Sequence, residues 1–190
     1  MSEQLTLSRV SLVEDSSGKL TEDTSAKTAA FFCRRLPVLI DTEVVTQLKE
    51  VSRQRNNSNV RICLHDGPDA THHDMVALEW GQRYYRPHKH ARKGDTFHLI
   101  EGRLGIFGFD IEGNVTDAVI IGPGEIYRTA VNVFHAILPL TQFVIHHESK
   151  PGPFEKENDS IFPEWAPDGS DPKEVEDYVR QLAAHLPEDA

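Results

Sequence analysis

The sequence predicts an all-β fold, a sandwich or barrel, with one helix before the sheet and one after it. Three observations support this. Between Val60 and Glu148 the chain breaks into short runs rich in β-branched and aromatic residues: VRICLH, MVALEW, TFHLIEG, LGIFGFD, AVIIG, HAILPL and QFVIHHE. Gly, Pro, Asn and Asp punctuate those runs at the spacing of an antiparallel β protein. Outside that region, two stretches carry apolar residues at helical spacing behind a capping residue.

Residues 1–36 form an expected N-terminal arm, rich in Ser, Thr, Glu and Lys. It is either loosely held or lends a strand to a neighbour. The main domain is expected over 37–168. It opens with a helix in DTEVVTQLKEVSRQR, where Asp41 is the cap, Val44, Val45, Leu48 and Val51 form the apolar stripe, and Asn56-Asn57 are the stop. In FGFDIEGNVTDAVII, residues Asp110 to Asn114 read as a hairpin turn with Gly113 inside it. The proline-rich segment KPGPFEKENDSIFPEWAPDG holds Phe154, Phe162 and Trp165, which predict packing over the sheet rather than a solvated linker. Over 169–190 a last helix begins at the cap Asp171 with Pro172 in its first turn and Glu174 completing a capping box. Val175, Tyr178, Val179, Leu182 and Leu186 lie on one face.

At 190 residues the chain suits one domain with a sizeable core. Acidic residues outnumber basic ones by 30 to 20, for a net charge of −10, and the basic residues are scattered. Nucleic acid and anionic membrane surfaces are therefore disfavoured as partners, and a small molecule is favoured. No run reaches membrane-spanning length, and MSEQLTLSRVSLVEDSS lacks the basic-then-apolar order of a signal peptide, so a cytoplasmic protein is expected. Cys33 and Cys63 belong to no CxxC pair and read as reduced, small hydrophobes. No GxSxG occurs to suggest a serine nucleophile.

The chemistry concentrates in RPHKHARKGDTFHLIEGR. In an extended segment after Pro87, His88 and His90 point the same way and make a bidentate clamp. In the next run Asp95, Phe97 and Leu99 share one face, and Thr96, His98 and Ile100 the other, so the carboxylate can join the pocket while His98 faces outward. His135, at the start of HAILPL, is suited to supply a third imidazole. Three imidazoles and a carboxylate fit iron(II), manganese, nickel or zinc. His146 and His147 are adjacent in a strand, so one faces inward. If that is His146, then Glu148 does too, giving a pair able to move protons or support the ligands. His72-His73 fall in an Asp-rich loop. Arg86, Lys89, Arg92 and Lys93 form a small basic cluster that either receives an anionic group or is a solvated loop.

PHKHARKGDTFHLIEG resembles the first motif of the cupins: HxH, four residues, an acid, six residues and a glycine, met here by His88, His90, Asp95 and Gly102. Residues 61–115, NVFHAI and HHESKPGPFEKENDSIFPEWAP together resemble successive blocks of the WbuC-type cupin fold metalloproteins, found in bacterial gene clusters for surface polysaccharide. Asp95 stands where the cupin acid is usually glutamate, and Arg128-Thr129-Ala130 stand where a proline and glycine usually precede the second-motif histidine. The resemblance implies a double-stranded β-helix barrel holding a metal on His88, His90, Asp95 and His135. It also brings His65 to the site; apart from the resemblance, Tyr85 at the barrel rim and Arg86 of the basic cluster are candidates to touch a ligand. The functional expectation is a metal-dependent enzyme on a small sugar or carbonyl-bearing metabolite, isomerase- or epimerase-like or dioxygenase-like, with Glu148 and His146 as proton-moving groups. The alternative is a binding or sensing cupin without turnover. A homodimer is expected from exposed sheet edges.

Overall fold

The computed structural model describes residues 9–13, 18–24, 28–81, 83–155 and 158–188. In chain order the elements are β1 (Leu20–Asp23), β2 (Ala29–Cys33), α1 (Thr42–Gln54), β3 (Val60–Cys63), β4 (His72–Trp80), β5 (Thr96–Glu101), β6 (Leu104–Phe109), β7 (Val115–Ile121), β8 (Ile126–Arg128), β9 (Phe134–Pro139), β10 (Phe143–Pro151) and α2 (Pro172–Ala183). A large sheet runs β1-β2-β3-β4-β10-β5-β8, and a small one runs β7-β6-β9. Backbone bridges from His88 to His135 and from Lys89 to Ile161 widen the small sheet beside β9. From β4 onward the chain therefore alternates between sheets: β4 large, residues 88–89 small, β5 large, β6 and β7 small, β8 large, β9 small, β10 large. That winding is the double-stranded β-helix, or cupin jelly roll.

Alternation of side chains decides what each face buries. Phe97, Leu99 and Val144 of the large sheet meet Leu104, Ile106 and Ile121 of the small one, filling one end of the barrel. On the outer side of the large sheet, Val60, Ile62, Val76, Leu78, Trp80 and Ile145 pack under Val44, Leu48 and Val51 of α1. Asp41 caps that helix by accepting from the Glu43 and Val44 N–H groups. Asn56 and Asn57, both at φ +56°, end it as the sequence predicts. Outside the small sheet, Phe107, Phe109, Phe134 and Ala136 lie under Trp165, Tyr178, Leu182 and Leu186. The hairpin turn forms as expected: Asp110 accepts from the Asn114 backbone N–H, and Gly113 adopts φ +93°. The Trp165 ring lies where a Gly113 Cβ would stand, 2.7 Å from it, so only glycine admits the ring.

Several details differ from the expectations. Within the segment expected as an arm, β1 and β2 pair antiparallel and β2 runs parallel to β3, extending the sheet of their own chain. Residues 1–8, 14–17 and 25–27 of that arm lie outside the described residues. His72-His73 are not in a loop: β4 begins at His72 because β10 continues to Pro151 and pairs with it. In the tail Trp165 packs as expected, but Phe154 and Phe162 are about half exposed, at 48% and 50%. Cys33 and Cys63 are free and buried. Among the described residues no helix is long and apolar enough to cross a membrane.

Candidate metal centre

Each proposed ligand sits on an element that the barrel winding carries to one place. His88 and His135 face each other as a backbone pair, with the His88 N–H donating to His135 O at 3.0 Å and the His135 N–H to His88 O at 2.9 Å. His90 lies two residues along the same extended segment. Asp95 immediately precedes β5, and its own N–H donates to Thr129 Oγ1 at 2.8 Å, while the Thr129 N–H donates to Asp95 O at 2.9 Å. Thr129, one of the residues that depart from the cupin pattern, thus holds the acid in place. Gly94 permits that approach, since a Cβ there would lie 2.5 Å from Thr129 O.

One ligand atom from each of His88, His90, Asp95 and His135 lies within 4.8 Å of the others. Asp95 Oδ2 is 3.1 Å from both His90 Nε2 and His135 Nε2. Atoms bound about 2.1 Å from a common ion stand about 3 Å apart at adjacent positions. The Nδ1 atoms are all committed elsewhere: His88 to Arg86 O at 3.1 Å, His135 to Val133 O at 3.2 Å, and His90 to Asp159 O. A carbonyl can only accept, so each Nδ1 carries a proton, and wherever a ring is neutral its lone pair is on Nε2. A proton on Nε2 of His90 or His135 would donate to Asp95 Oδ2, and an ion bound at that point would take the place of such protons. Asp95 Oδ1 is buried without a hydrogen-bond partner, with the Lys150 ammonium nearby at 3.6 Å, which leaves it a lone pair to offer an ion. Burial and the neighbouring His135 push His88 down to about 4, keeping it neutral and ligand-ready near neutral pH. At Asp95 burial favours the acid, but His135, His90 and Lys150 outweigh it and hold the carboxyl well below the usual range. The donor set and its spacing therefore fit a divalent transition ion.

Beside the four residues runs a row of inward-facing side chains on β10. His146 is fully buried, faces inward, packs edge-on against Phe97 and has Nε2 3.1 Å from Glu79 Oε2, while its Nδ1 has no partner. Glu148 faces inward as well, 2.6 Å from Lys150 Nζ, and Lys150 Nζ is 3.6 Å from Asp95 Oδ1. Burial opposes the charge on Glu148, but Lys150 keeps its carboxyl below the ordinary value. Burial likewise opposes a proton on His146, and Glu79 raises it.

The other sequence-predicted residues make their side-chain contacts elsewhere. His65 stacks on His73 at 4.2 Å and lies against the Asp74 backbone. Tyr85 donates its hydroxyl to Trp80 O and accepts from Asn59 Nδ2. Arg86 donates to Pro163 O and stacks on Phe162, pinning the tail. The basic cluster divides similarly. Lys89 lies over Phe134, Lys93 is buried against Asp159 and Pro153 O, and Arg92 is exposed. His98 is on the outer face. The sequence reading missed Lys150, Glu79 and Asp159. The strand period of two would have found Lys150, since His146, Glu148 and Lys150 alternate in FVIHHESK. The other two come from distant segments with no local signal.

A family model described as a domain of unknown function, DUF6016, matches residues 40–121. Among curated proteins, none matches the chain. Among solved structures it is similar to an L-ribose isomerase from Cellulomonas parahominis, with 12% identity over 55% of this chain and 69% of that one and a TM-score of 0.46. An uncharacterized protein with a double-stranded β-helix domain from Klebsiella pneumoniae has 17% identity over 62% and 94%, with a TM-score of 0.45. Oxalate decarboxylase from Bacillus subtilis has 12% identity over 55% and 27%, with a TM-score of 0.42, so the chain spans about a quarter of that enzyme.

Proposed function

We propose that the chain is a metal-dependent enzyme of the WbuC-type cupin kind, acting on a small sugar or other carbonyl-bearing metabolite as an isomerase or epimerase. His88, His90, His135 and Asp95 hold one divalent ion of iron, manganese, nickel or zinc. The observation that carries this reading is the commitment of all three Nδ1 atoms to backbone carbonyls, which leaves Nε2 of each ring as the atom to offer a metal where the four residues gather within 4.8 Å. When bound, such an ion polarises a substrate oxygen.

The chain's own residues handle the proton. Glu148 is held ionised by Lys150 and accepts a proton from carbon beside a carbonyl, and Lys150 offers an N–H to the oxygen on which negative charge grows. His146, oriented by Glu79, presents its unpartnered Nδ1 on the same inner face and serves as the second proton-moving group. An acid and a base beside the ligands favour proton transfer over the dioxygenase-like alternative. The test is deuterium exchange: metal-loaded protein is incubated in D2O with a panel of aldoses, ketoses and 2-oxo acids, and C–H signals are followed by NMR. Exchange is expected with the wild type and should fall at least about a hundredfold in Glu148→Gln with metal content unchanged. Oxygen consumption without exchange would favour the dioxygenase-like chemistry instead.

A binding module without turnover is favoured by one observation, the Lys150 ammonium 3.6 Å from Asp95 Oδ1, which can balance that carboxylate internally. Protein that takes up no stoichiometric metal, and whose stability iron, manganese, nickel and zinc leave unchanged, would establish that reading.

A further inference from the structure

The outer face of the large sheet carries a second gathering of imidazoles and carboxylate. His72 and Asp74 are two residues apart on β4 and share a face, as do His147 and Ser149 on β10. Asp74 pairs with Ser149 in register, which places His147 diagonally beside Asp74. Asp74 Oδ1 is 3.4 Å from His72 Nε2 and 3.2 Å from His147 Nε2, so two ring nitrogens address one oxygen. Ser149 Oγ is 3.1 Å from His72 Nε2. His98 of β5 stands opposite His147 in the next register pair. The Asp74 backbone is held on both sides: the Leu64 N–H donates to Asp74 O at 2.8 Å, and the Asp74 N–H donates to His65 Nδ1 at 3.3 Å.

We propose that His72, Asp74 and His147 form a second divalent-metal site, on the outer face, selective for nitrogen-preferring ions such as zinc, nickel or copper(II). Two imidazoles and a carboxylate are a donor set for those ions, and water fills the remaining positions. The side chains are 57%, 36% and 32% exposed, so an ion reaches them without disturbing the barrel. Because the ligands come from β4 and β10, binding staples the two strands that join the α1-covered half of the sheet to the half carrying Asp95. His98 is positioned by the register to approach from the far side.

The test is equilibrium dialysis of purified full-length protein against zinc near neutral pH, followed by elemental analysis, in wild type, Asp74→Asn and His147→Gln. Wild type is expected to retain one more equivalent than either variant, with the zinc-induced rise in Tm reduced in both. Equal stoichiometry in all three would overturn the proposal. The difference is read against the wild type, so it stands whether or not the four-residue centre takes metal, and the two assignments fail separately. If either variant does not fold, His72→Gln, at the most exposed of the three positions, gives the same comparison.

Discussion

At the residue scale, Asp95 Oδ2 stands 3.1 Å from two imidazole nitrogens whose rings have already spent their Nδ1 protons on backbone carbonyls. Replacing the carboxylate by an amide removes the one anionic ligand and keeps the volume. Asp95→Asn should therefore weaken metal binding by about 10- to 100-fold or more, read by competition with a chelator, with circular dichroism unchanged. Lys93 and Asp159 are 6% and 4% exposed at their side chains and pair with each other, while the Asp159 carbonyl receives His90 Nδ1. Removing one charge strands the other, so Lys93→Met should cost about 3–5 kcal/mol in urea unfolding, and Lys93→Met with Asp159→Leu should cost less than that single change. The gathering of His88, His90 and Asp95 was legible because HxH and the acid lie close in sequence, where a strand period of two sets their direction. Asp159 and Glu79 were not, because only the folded barrel brings them from 69 residues after His90 and 67 before His146.

At the element scale, the tail after β10 works as a strap. Trp165 packs on Phe109 and Phe134, Arg86 holds the carbonyls of Pro163 and Ala166, and Ile161 bridges Lys89. Trp165→Ala should destabilise the protein by about 3 kcal/mol in thermal or urea unfolding, through lost burial and an incomplete collapse around Gly113. The sequence betrayed this strap through its aromatic residues in a proline-rich stretch. It misjudged Phe154 and Phe162, since one aromatic ring can cover a sheet while its neighbours stay half exposed. The two capped helices were legible from local chemistry, as each cap uses atoms within three residues. β1 and β2 were not, because a parallel pairing with β3 is a long-range event that leaves no periodic trace in short strands. β8 spans only three residues and escapes for the same reason of length.

At the scale of the whole molecule, protonation couples the interior to stability. Burial, with a neighbouring histidine, pushes His65 and His88 each down to about 4, whereas an unfolded histidine titrates near 6.5. Between those values the unfolded chain binds more protons, so the contribution of the two neutral rings is full above about 6.5 and is lost as the pH falls toward 4. His90 and His146 run the other way: their folded values are raised, so their contribution is present below about 6.5 and fades as the pH rises through the folded values. His65 stacks on His73 and lies apart from His88, His90, Asp95 and His135, so it can be changed without touching those four. Unfolding of His65→Leu measured at pH 7 and pH 5 should show a loss on acidification smaller than the wild type's by about 2 kcal/mol. The central claim is that three imidazoles and Asp95 close around one cation. Anomalous diffraction at the metal's absorption edge, from crystals of metal-loaded protein, tests it most directly. The expected result is a peak about 2.0–2.3 Å from Nε2 of His88, His90 and His135 and from an oxygen of Asp95. Metal-replete crystals with no peak among these four, or with the Lys150 ammonium seated where the peak belongs, would contradict it.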